Sequence, residues 1–258
     1  MLKLIACDLD GTLLLDGAQT LQKNTCHLIH RLREEKGILF VPASGRQYRN
    51  IRNLFSPVAD EIAYICENGC LTFYQGQMLH KEFLDRETGV EILKDIAERE
   101  GEEILLSGMD TSYVMPKNPD FVRHMREVVG NHVTVVEDIL DTPEPYYKIA
   151  VCAYGGDIKD CQDYYLKTYG EELTVATSGN IWLDLNKKGA CKRSGLKALI
   201  EKLDIAPEEC MAIGDNFNDA EMLSFVGHPV TMATAVPGVY EMSDRHTDTV
   251  EHLLESLL

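Results

Sequence analysis

The chain has 258 residues, of which 45% are hydrophobic and 26% charged. This balance excludes a disordered polymer and leaves room for one large domain or two modest ones. With 42 acidic against 25 basic side chains, the formal net charge is −17. Such a surface repels nucleic acid and anionic membranes, so neither is expected as a partner, and a phosphorylated ligand would need a locally positive site.

The first part of the chain predicts alternating strands and helices. The apolar run LKLIACD (2–8) predicts a strand buried on both faces, and NTCHLIHRLREEKG (24–37) predicts a helix that ends at Gly37. ILFVPAS (38–44), QYRNIRNLF (47–55) and IAYIC (62–66) then predict a strand, a helix and a strand. This order indicates an α/β fold with a doubly wound, Rossmann-like parallel sheet.

The alternation breaks after residue 70. LTFYQGQMLHKEFL (71–84) predicts a hairpin around Gln75 and Gly76. The following elements mix both types: helices near 86–100, 119–129 and 157–169, and strands near 103–107, 111–115, 146–154, 173–177 and 181–185. We expect residues 84–186 to form an inserted α+β cap domain.

The first pattern returns in the last part of the chain. The predicted order is helix, strand, helix, strand, helix, from the segments RSGLKALIEKLD (193–204), CMAIGD (210–215), NDAEMLSFV (218–226), PVTM (229–232) and TVEHLLESLL (249–258). The predicted core domain is therefore discontinuous, comprising residues 1–83 and 187–258. No internal repeat or low-complexity segment is visible.

Two acidic clusters follow predicted strands. Asp8 and Asp10 stand at the end of the first strand, and GDNFND (214–219) places Asp215, Asn218 and Asp219 after the strand CMAI. A tight Asp-Gly turn explains Asp10 but not Asp8. Ligands of open α/β sheets bind outside the carboxyl ends of the strands, so we expect both clusters at one sheet edge.

Two weaker clusters accompany them. ASGR (43–46) ends another strand and offers the Ser44 hydroxyl, the close backbone approach of Gly45 and the anion-binding fork of Arg46. By itself this loop is equally typical of a helix cap. Lys192 stands before a predicted helix and, taken alone, is more typical of a solvated surface lysine.

Converging carboxylates require a cation. Two of them 4 Å apart repel by about 4 kcal/mol at an effective dielectric constant of 20. Mg²⁺ prefers a few carboxylates together with water and phosphate oxygens. With a hydroxyl and an ammonium group added, the predicted site binds Mg²⁺ and a phosphoryl group.

These four stretches, in this order, resemble the signature motifs of the haloacid dehalogenase superfamily. DLDGTLL (8–14) resembles the first motif, ASGR the second, Lys192 the third and GDNFND the fourth. The expected insertion lies after ENG (67–69) and before Lys192, which resembles the Cof-type branch with its large α/β cap. That branch commonly carries MGNA where this chain has MATA (232–235), a departure that concerns leaving-group contacts.

The resemblance implies a Mg²⁺-dependent phosphatase that acts through an aspartyl-phosphate. Asp8 would be the nucleophile and Asp10 the general acid and base. Thr12 would organise the loop through its hydroxyl. The further implied roles are phosphate binding by Ser44, Gly45 and Lys192, substrate contacts by Arg46 and Asn68, and magnesium binding by Asp8, the Asp10 carbonyl and Asp215, supported by Asn218 and Asp219.

Other functions share parts of this pattern. A phosphomutase of the same superfamily keeps all four motifs, and a phospho-accepting receiver module also combines an acidic pocket with a Ser or Thr and a Lys. Receivers are about half this length and would leave Asp10 without a task. A transferase using a D-x-D metal site would not explain Lys192 together with GDNFND.

Cysteine usage and hydropathy suggest a compartment. The eight cysteines form no C-x-x-C pair, which is typical of reduced thiols rather than of a disulfide framework or a zinc site. No apolar run approaches the roughly 18 residues of a membrane span, and the run before Asp8 is shorter than a signal-peptide core. We expect a cytoplasmic monomer or small homo-oligomer whose partner is a small phosphorylated metabolite.

Overall fold

The computed structural model describes residues 1–109, 111–177 and 181–258. Within these ranges the chain forms two compact units. We call Met1–His80 together with Cys191–Leu258 the core unit, and Lys81–Ala190 the inserted unit.

Strands and helices alternate along most of the chain. The elements up to residue 81 are β1 (Leu4–Cys7), α1 (Thr25–Lys36), β2 (Leu39–Pro42), α2 (Tyr48–Leu54), β3 (Ala63–Cys66), β4 (Leu71–Tyr74) and β5 (Gln77–Lys81). Those of the inserted unit are α3 (Arg86–Glu98), β6 (Glu103–Ser107), β7 (Ser112–Val114), α4 (Pro119–Glu127), β8 (Val133–Val135), β9 (Lys148–Cys152), α5 (Ile158–Tyr169), β10 (Leu173–Thr177) and β11 (Trp182–Lys187). The elements from residue 191 onward are α6 (Lys192–Leu203), β12 (Cys210–Gly214), α7 (Ala220–Leu223), β13 (His228–Met232), α8 (Pro237–Tyr240), β14 (His246–Thr247) and α9 (Val250–Ser256).

A parallel sheet forms the centre of the core unit. Its strands lie in the order β14-β13-β12-β1-β2, and each neighbouring pair is parallel. β1 lies between β12 and β2, with Leu4 opposite both Cys210 and Leu39. Its residues LIAC are all buried, as expected of an apolar strand covered on both faces. The predicted α/β fold with a parallel sheet is confirmed.

Helices cover this sheet on both faces. On one face, Leu4 and Ala6 belong to an apolar cluster with Leu199 of α6 and Met222 of α7. Strand alternation turns Ile5 toward the opposite face, where α1 contacts β2 and α9. The helix–sheet–helix layering leaves the carboxyl ends of β1, β2 and β12 at a common edge.

The third predicted strand belongs to a second sheet. β3 was expected to extend the parallel sheet, but it pairs antiparallel with β4, and β5 follows in the order β3-β4-β5. A single parallel bridge between Ala43 and Ile65 joins it to the first sheet. The chain reverses because Glu67, Asn68 and Gly69, directly after β3, all have positive φ. The predicted hairpin turn at 75–76 lies between β4 and β5.

The inserted unit is built on a mixed sheet with helices on both faces. Its strand order is β10-β11-β9-β6-β7-β8, antiparallel except for the β7–β8 pair. Ile92 of α3 and Tyr165 of α5 pack on one face against strand residues that include Val151. Phe121 and Met125 of α4 form a separate cluster with Val114 and other strand residues.

Short elements account for the differences from the predicted order. The sequence did not predict β8, α8 or β14, which have three, four and two residues. Elements of this size contain too few residues for a periodic pattern. The helix expected over 218–226 is instead the four-residue α7, preceded by a one-turn 3-10 helix over Phe217–Asp219.

All eight cysteines are free thiols, and six of them are buried. Burial raises the pKa of the Cys7 and Cys66 thiols well above the usual value, which keeps them protonated and unreactive.

Of the helices in the described part of the chain, none is both long and apolar enough to cross a lipid bilayer.

Candidate active site

Two adjacent strands bring the first and fourth motifs together. β1 and β12 run parallel in register up to the pair Cys7 and Ile213, and the Asp8 N–H donates to the Ile213 carbonyl at 2.9 Å. Asp8 and Asp215 therefore leave the sheet at the same edge, although more than 200 residues separate them along the chain. This is the edge at which the sequence predicted a ligand site.

Three carboxylates meet there. Asp8, Asp215 and Asp219 each offer an oxygen, and these atoms lie within 4.8 Å of one another. Asp8 is 4% exposed and Asp219 is fully buried. Carboxylates this close and this poorly hydrated are mutually destabilising unless cations compensate them.

Lys192 supplies one positive charge. It is the first residue of α6 and is 1% exposed. Its Nζ donates to Asp8 Oδ1 at 2.5 Å and to Asp219 Oδ1 at 2.6 Å. Burial lowers the pKa of this ammonium, but the carboxylates of Asp219 and Asp8 outweigh burial and hold the pKa above its usual value. Lys192 is thus a buried cation of the site and not a surface lysine.

The cluster still carries more negative than positive charge. Burial, followed by repulsion from Asp219, raises the pKa of Asp8 well above its usual value, and Lys192 opposes this shift. Burial is also the largest cause of the raised pKa of Asp215. Three carboxylates against one ammonium leave a net negative site whose oxygen donors match the ligand preference of a hard divalent cation.

Backbone contacts fix the fourth motif. The Asp219 Oδ2 atom accepts from the N–H groups of Asp215 at 3.0 Å and Asn216 at 3.2 Å. A Cβ on Gly214 would lie 2.5 Å from Asp219 Cγ, so only glycine allows this approach. Asn218 lies in the same one-turn helix and is half-buried.

The first motif contacts the fourth through its own loop. The Thr12 hydroxyl donates to Asp215 Oδ1 at 2.8 Å, and Thr12 is fully buried. Gly11 has φ +94°, and a Cβ there would lie 2.5 Å from Asp215 Oδ2. The DGT sequence therefore orients the Asp215 carboxylate. The close approaches at Gly11 and Gly214 could not be predicted from the sequence.

Asp10 lies apart from the acidic cluster. Its carboxylate is 56% exposed and pairs with Arg46, with the Arg46 Nη2 atom 2.5 Å from Asp10 Oδ1. Its side chain is not among the three that converge in the described part of the chain. The metal role inferred for Asp10 involves only its backbone carbonyl, so a carboxylate held outside the cluster is compatible with that role.

The second motif follows β2, the other neighbour of β1. Ser44 is 2% exposed, and its hydroxyl accepts from the Arg46 N–H at 3.2 Å. Gly45 lies between them and is half-buried. Asn68 is brought to the same loop, because its N–H donates to the Ser44 carbonyl at 3.0 Å. Arg46 was predicted to contact substrate, and its pairing with Asp10 has no signal in the sequence.

The MATA segment also reaches this edge. It begins at Met232, the last residue of β13, and the N–H of Val236, the residue after the segment, donates to the Asp215 carbonyl at 3.0 Å. Thr234, which is exposed, stands where the MGNA pattern has its asparagine, two residues before this backbone contact.

A known protein family and its members match this chain over most of its length. The haloacid dehalogenase-like hydrolase family matches residues 5–252. The 5-amino-6-(5-phospho-D-ribitylamino)uracil phosphatase YbjI of Escherichia coli (strain K12) is 27% identical over 234 residues, which cover 91% of this chain and 86% of that protein. An HMP-PP phosphatase of Citrobacter koseri is 28% identical over 240 residues, with coverages of 92% and 86%.

A solved structure shows the same fold. The haloacid dehalogenase-like hydrolase from B. subtilis has a TM-score of 0.85 with this chain at 24% identity, covering 100% of both chains. The family resemblance seen in the motifs is confirmed, and the expectation of a phosphatase agrees with the names of the two relatives. The family match spans nearly the whole sequence, including all four motifs. The chain therefore belongs to the haloacid dehalogenase-like hydrolase family.

Proposed function

We propose that the protein is a Mg²⁺-dependent phosphatase that hydrolyses a small phosphate monoester through an aspartyl-phosphate on Asp8. The observation that carries this proposal is the convergence of Asp8, Asp215 and Asp219 around the buried Lys192 ammonium. This arrangement combines a carboxylate nucleophile with a hard-cation site and a fixed positive charge. Phosphoryl transfer depends mainly on such positioning and charge stabilisation.

Mg²⁺ would be held by Asp8 and Asp215, with the Asp10 carbonyl, Asn218 and Asp219 in support. When bound, it would neutralise phosphoryl oxygens and orient the ester. The donor set consists of oxygen atoms, which suits this ion better than a softer metal.

In the first step, an oxygen of Asp8 attacks phosphorus while the bond from phosphorus to the leaving oxygen breaks. Asp10 donates its proton to that oxygen, so the product leaves as an alcohol. Lys192 and Ser44 hold the phosphoryl oxygens during transfer. The ammonium of Lys192 also fixes the Asp8 carboxylate before the attack, because Nζ lies 2.5 Å from Oδ1.

In the second step, Asp10 accepts a proton from water, and the water oxygen attacks phosphorus. The bond from phosphorus to Asp8 breaks, releasing phosphate and restoring the carboxylate. The two carboxylates would need different environments for these roles. Asp8 is buried, whereas Asp10 is more than half exposed and paired with Arg46.

We propose a sugar phosphate or a related small metabolite as the substrate. The two relatives are named for a phosphoribitylaminouracil and for HMP-PP, which supports a phosphorylated metabolite rather than a macromolecule. A phosphate-release screen over sugar phosphates, nucleotides and coenzyme phosphates would identify the class.

The decisive experiment compares Asp8→Asn with the wild type in p-nitrophenyl phosphate hydrolysis with Mg²⁺. We expect turnover to be abolished and the circular dichroism spectrum to be unchanged. Asp16→Asn is the matched control, because Asp16 lies in the same segment, is exposed and has φ 54°, which asparagine tolerates. Normal turnover in Asp8→Asn would exclude the aspartyl-phosphate, and an inactive wild type would exclude the phosphatase.

A further inference from the structure

The turn formed by Glu67, Asn68 and Gly69, which we call the ENG turn, has an unusual backbone. Its three φ angles are 50°, 54° and 99°. Two consecutive non-glycine residues in the left-handed region are uncommon, and such a conformation persists only where the surrounding structure imposes it. Glu67 is 1% and Asn68 7% exposed, so this is not an ordinary surface turn.

One side of the ENG turn is bonded to the second motif. The N–H of Glu67 donates to the Arg46 carbonyl at 3.2 Å, and the N–H of Asn68 donates to the Ser44 carbonyl at 3.0 Å. The Ser44 N–H donates in turn to the Ile65 carbonyl at 2.9 Å. These backbone bonds attach the Ser44 loop to the ENG turn and to the strand before it.

The other side of the ENG turn lies against the start of α6. A Cβ on Gly69 would stand 1.9 Å from the Cys191 carbonyl oxygen and 3.1 Å from the Lys192 nitrogen. A Cβ on Gly195 would stand 3.2 Å from the Gly69 Cα. The two backbones therefore approach each other through a pair of glycines. Cys191 caps α6 and Lys192 is its first residue. This contact therefore determines where the Lys192 ammonium enters the candidate site.

We propose that the ENG turn is a positioning element that sets the separation of Ser44 and Lys192, the two groups assigned to the phosphoryl oxygens. The inference rests on the proposed function, because it concerns the geometry of that same phosphate site. The turn acts through the backbone contacts described above and does not itself touch the reacting atoms. It explains why a left-handed, buried segment joins two motifs that are about 150 residues apart in the sequence.

Gly69→Ala tests the proposal, with Gly76→Ala as its matched control. Both glycines have positive φ, 99° and 72°, so alanine is strained at each. The surroundings of the two positions differ: a Cβ at Gly69 would collide with the Cys191 carbonyl, whereas nothing lies within 4 Å of a Cβ at Gly76. The two variants thus share the backbone strain and differ in the collision with Cys191.

In Gly69→Ala the new Cβ would stand 1.9 Å from the Cys191 carbonyl oxygen, whereas real Cβ contacts are essentially never shorter than 3.0 Å. The two backbones must therefore move apart by about 1.1 Å, the difference between these distances. A displacement of about 1 Å can slow catalysis by ~10²-fold. We expect Gly69→Ala to weaken binding of inorganic phosphate and of vanadate and to lower kcat/KM for p-nitrophenyl phosphate by about that factor. Gly76→Ala should keep wild-type values of all three. Binding is measured by calorimetry below the Tm of both variants.

If Gly69→Ala does not fold, Gly195→Ala is the second variant that tests the same contact. It enters the same contact from the helix, at an ordinary helical φ, and its Cβ would press on Gly69, Ile65 and Thr72. We expect reduced phosphate affinity with an unchanged circular dichroism spectrum. Wild-type affinity in Gly195→Ala, or a folded Gly69→Ala that behaves like Gly76→Ala, would overturn the inference. A wild type that neither binds vanadate nor hydrolyses p-nitrophenyl phosphate would instead overturn the proposed function.

Discussion

Arg46 holds the carboxylate of Asp10 with two hydrogen bonds, Nε to Oδ2 at 2.9 Å and Nη2 to Oδ1 at 2.5 Å. The Arg46 side chain is 15% exposed and that of Asp10 is 56% exposed, so a largely buried cation holds a largely exposed acid. Paired two-point contacts of this kind fix orientation as well as charge. Arg46 therefore positions Asp10 as a carboxylate, the form that accepts a proton from water, and one of these bonds opens when Asp10 carries the proton that it donates as the acid.

We expect Arg46→Ala to impair protonation of the leaving group. kcat/KM for an alkyl phosphate should fall by about 10²-fold, the lower end of acid–base contributions. kcat/KM for p-nitrophenyl phosphate should fall much less, because nitrophenolate leaves with little help from an acid. This ratio reports only steps up to release of the leaving group, so it isolates the acid role.

Arg49→Ala is the control for this comparison. Arg49 is an exposed arginine in α2, three residues further along the chain. It should leave both esters unaffected. Equal losses for the alkyl and aryl esters in Arg46→Ala would show that the arginine serves substrate binding, as the sequence predicted, and not the orientation of Asp10.

Thr12 offers a second test, at the proposed magnesium site. Its buried hydroxyl donates to Asp215 Oδ1 at 2.8 Å. Thr12→Val removes this bond at nearly constant volume. Groups that orient metal ligands typically change metal affinity by about 10–100-fold, so we expect Mg²⁺ binding to weaken by about 10-fold. Calorimetric titration and the Mg²⁺-induced rise in Tm measure the effect.

Thr25→Val controls for the loss of a buried threonine–carboxylate bond. Thr25 is fully buried, and its hydroxyl donates to Glu251 Oε1 at 2.5 Å. Both variants should lose about 1.5–3 kcal/mol of unfolding free energy, the range for bonds to charged groups. Only Thr12→Val should lose Mg²⁺ affinity. If Thr12→Val and Thr25→Val bind Mg²⁺ equally tightly, the Thr12 hydroxyl does not orient a metal ligand.

Lys192→Met should destabilise the metal-free protein strongly. The variant leaves the carboxylates of Asp8 and Asp219 buried without their cation. Removing one partner of a buried ion pair costs about 3–5 kcal/mol. We expect a loss of this size in urea denaturation with EDTA, together with loss of phosphatase activity.

Lys197→Met is the control for Lys192→Met, because it removes an ammonium group from the same helix, α6. Lys197 is more than half exposed, with Glu201 at 3.8 Å. Exposed pairs contribute about 0–1 kcal/mol, so this variant should stay within about 1 kcal/mol of the wild type. If Lys192→Met loses no more than Lys197→Met, then the carboxylates do not depend on the buried ammonium.

Several candidate residues could be found in the sequence because they follow predicted strands. Asp8, Ser44 and Asp215 stand directly after or near the ends of apolar runs, and parallel topology brings such ends together. Lys192 was ambiguous by itself, since a lysine before a helix is usually solvated. Its burial follows from α6 starting at the same edge, which only the three-dimensional packing reveals.

Other features had no sequence signal of their own. The Arg46–Asp10 pair depends on two loops that are 36 residues apart, and each side chain is compatible with several roles. The antiparallel pairing of β3 with β4 depends on the left-handed backbone at Glu67 and Asn68, residue types that do not require it. Local propensity therefore identified the strand, whereas tertiary contacts decided its pairing.

Tyr146 and Tyr165 provide a test in the inserted unit, where two buried hydroxyls have opposite surroundings. Tyr165 Oη donates to Glu102 Oε2 at 2.7 Å, whereas Tyr146 Oη meets no hydrogen-bond partner within the described ranges. A buried polar group without a partner costs about 1–3 kcal/mol, and a satisfied one stabilises the fold. Tyr146→Phe should therefore raise the unfolding free energy by about 1 kcal/mol, and Tyr165→Phe should lower it by about 1–3 kcal/mol.

The Arg86 guanidinium lies 4.3 Å from the centre of the Tyr146 ring, a contact that phenylalanine keeps, so the first substitution isolates the hydroxyl. Urea denaturation of the full chain measures both variants. A destabilised Tyr146→Phe would mean that this hydroxyl is hydrogen-bonded in solution, for which a buried water is the simplest partner. The opposite signs of the two changes are what distinguish an unsatisfied hydroxyl from a generally fragile core, because both rings pack in the same apolar cluster.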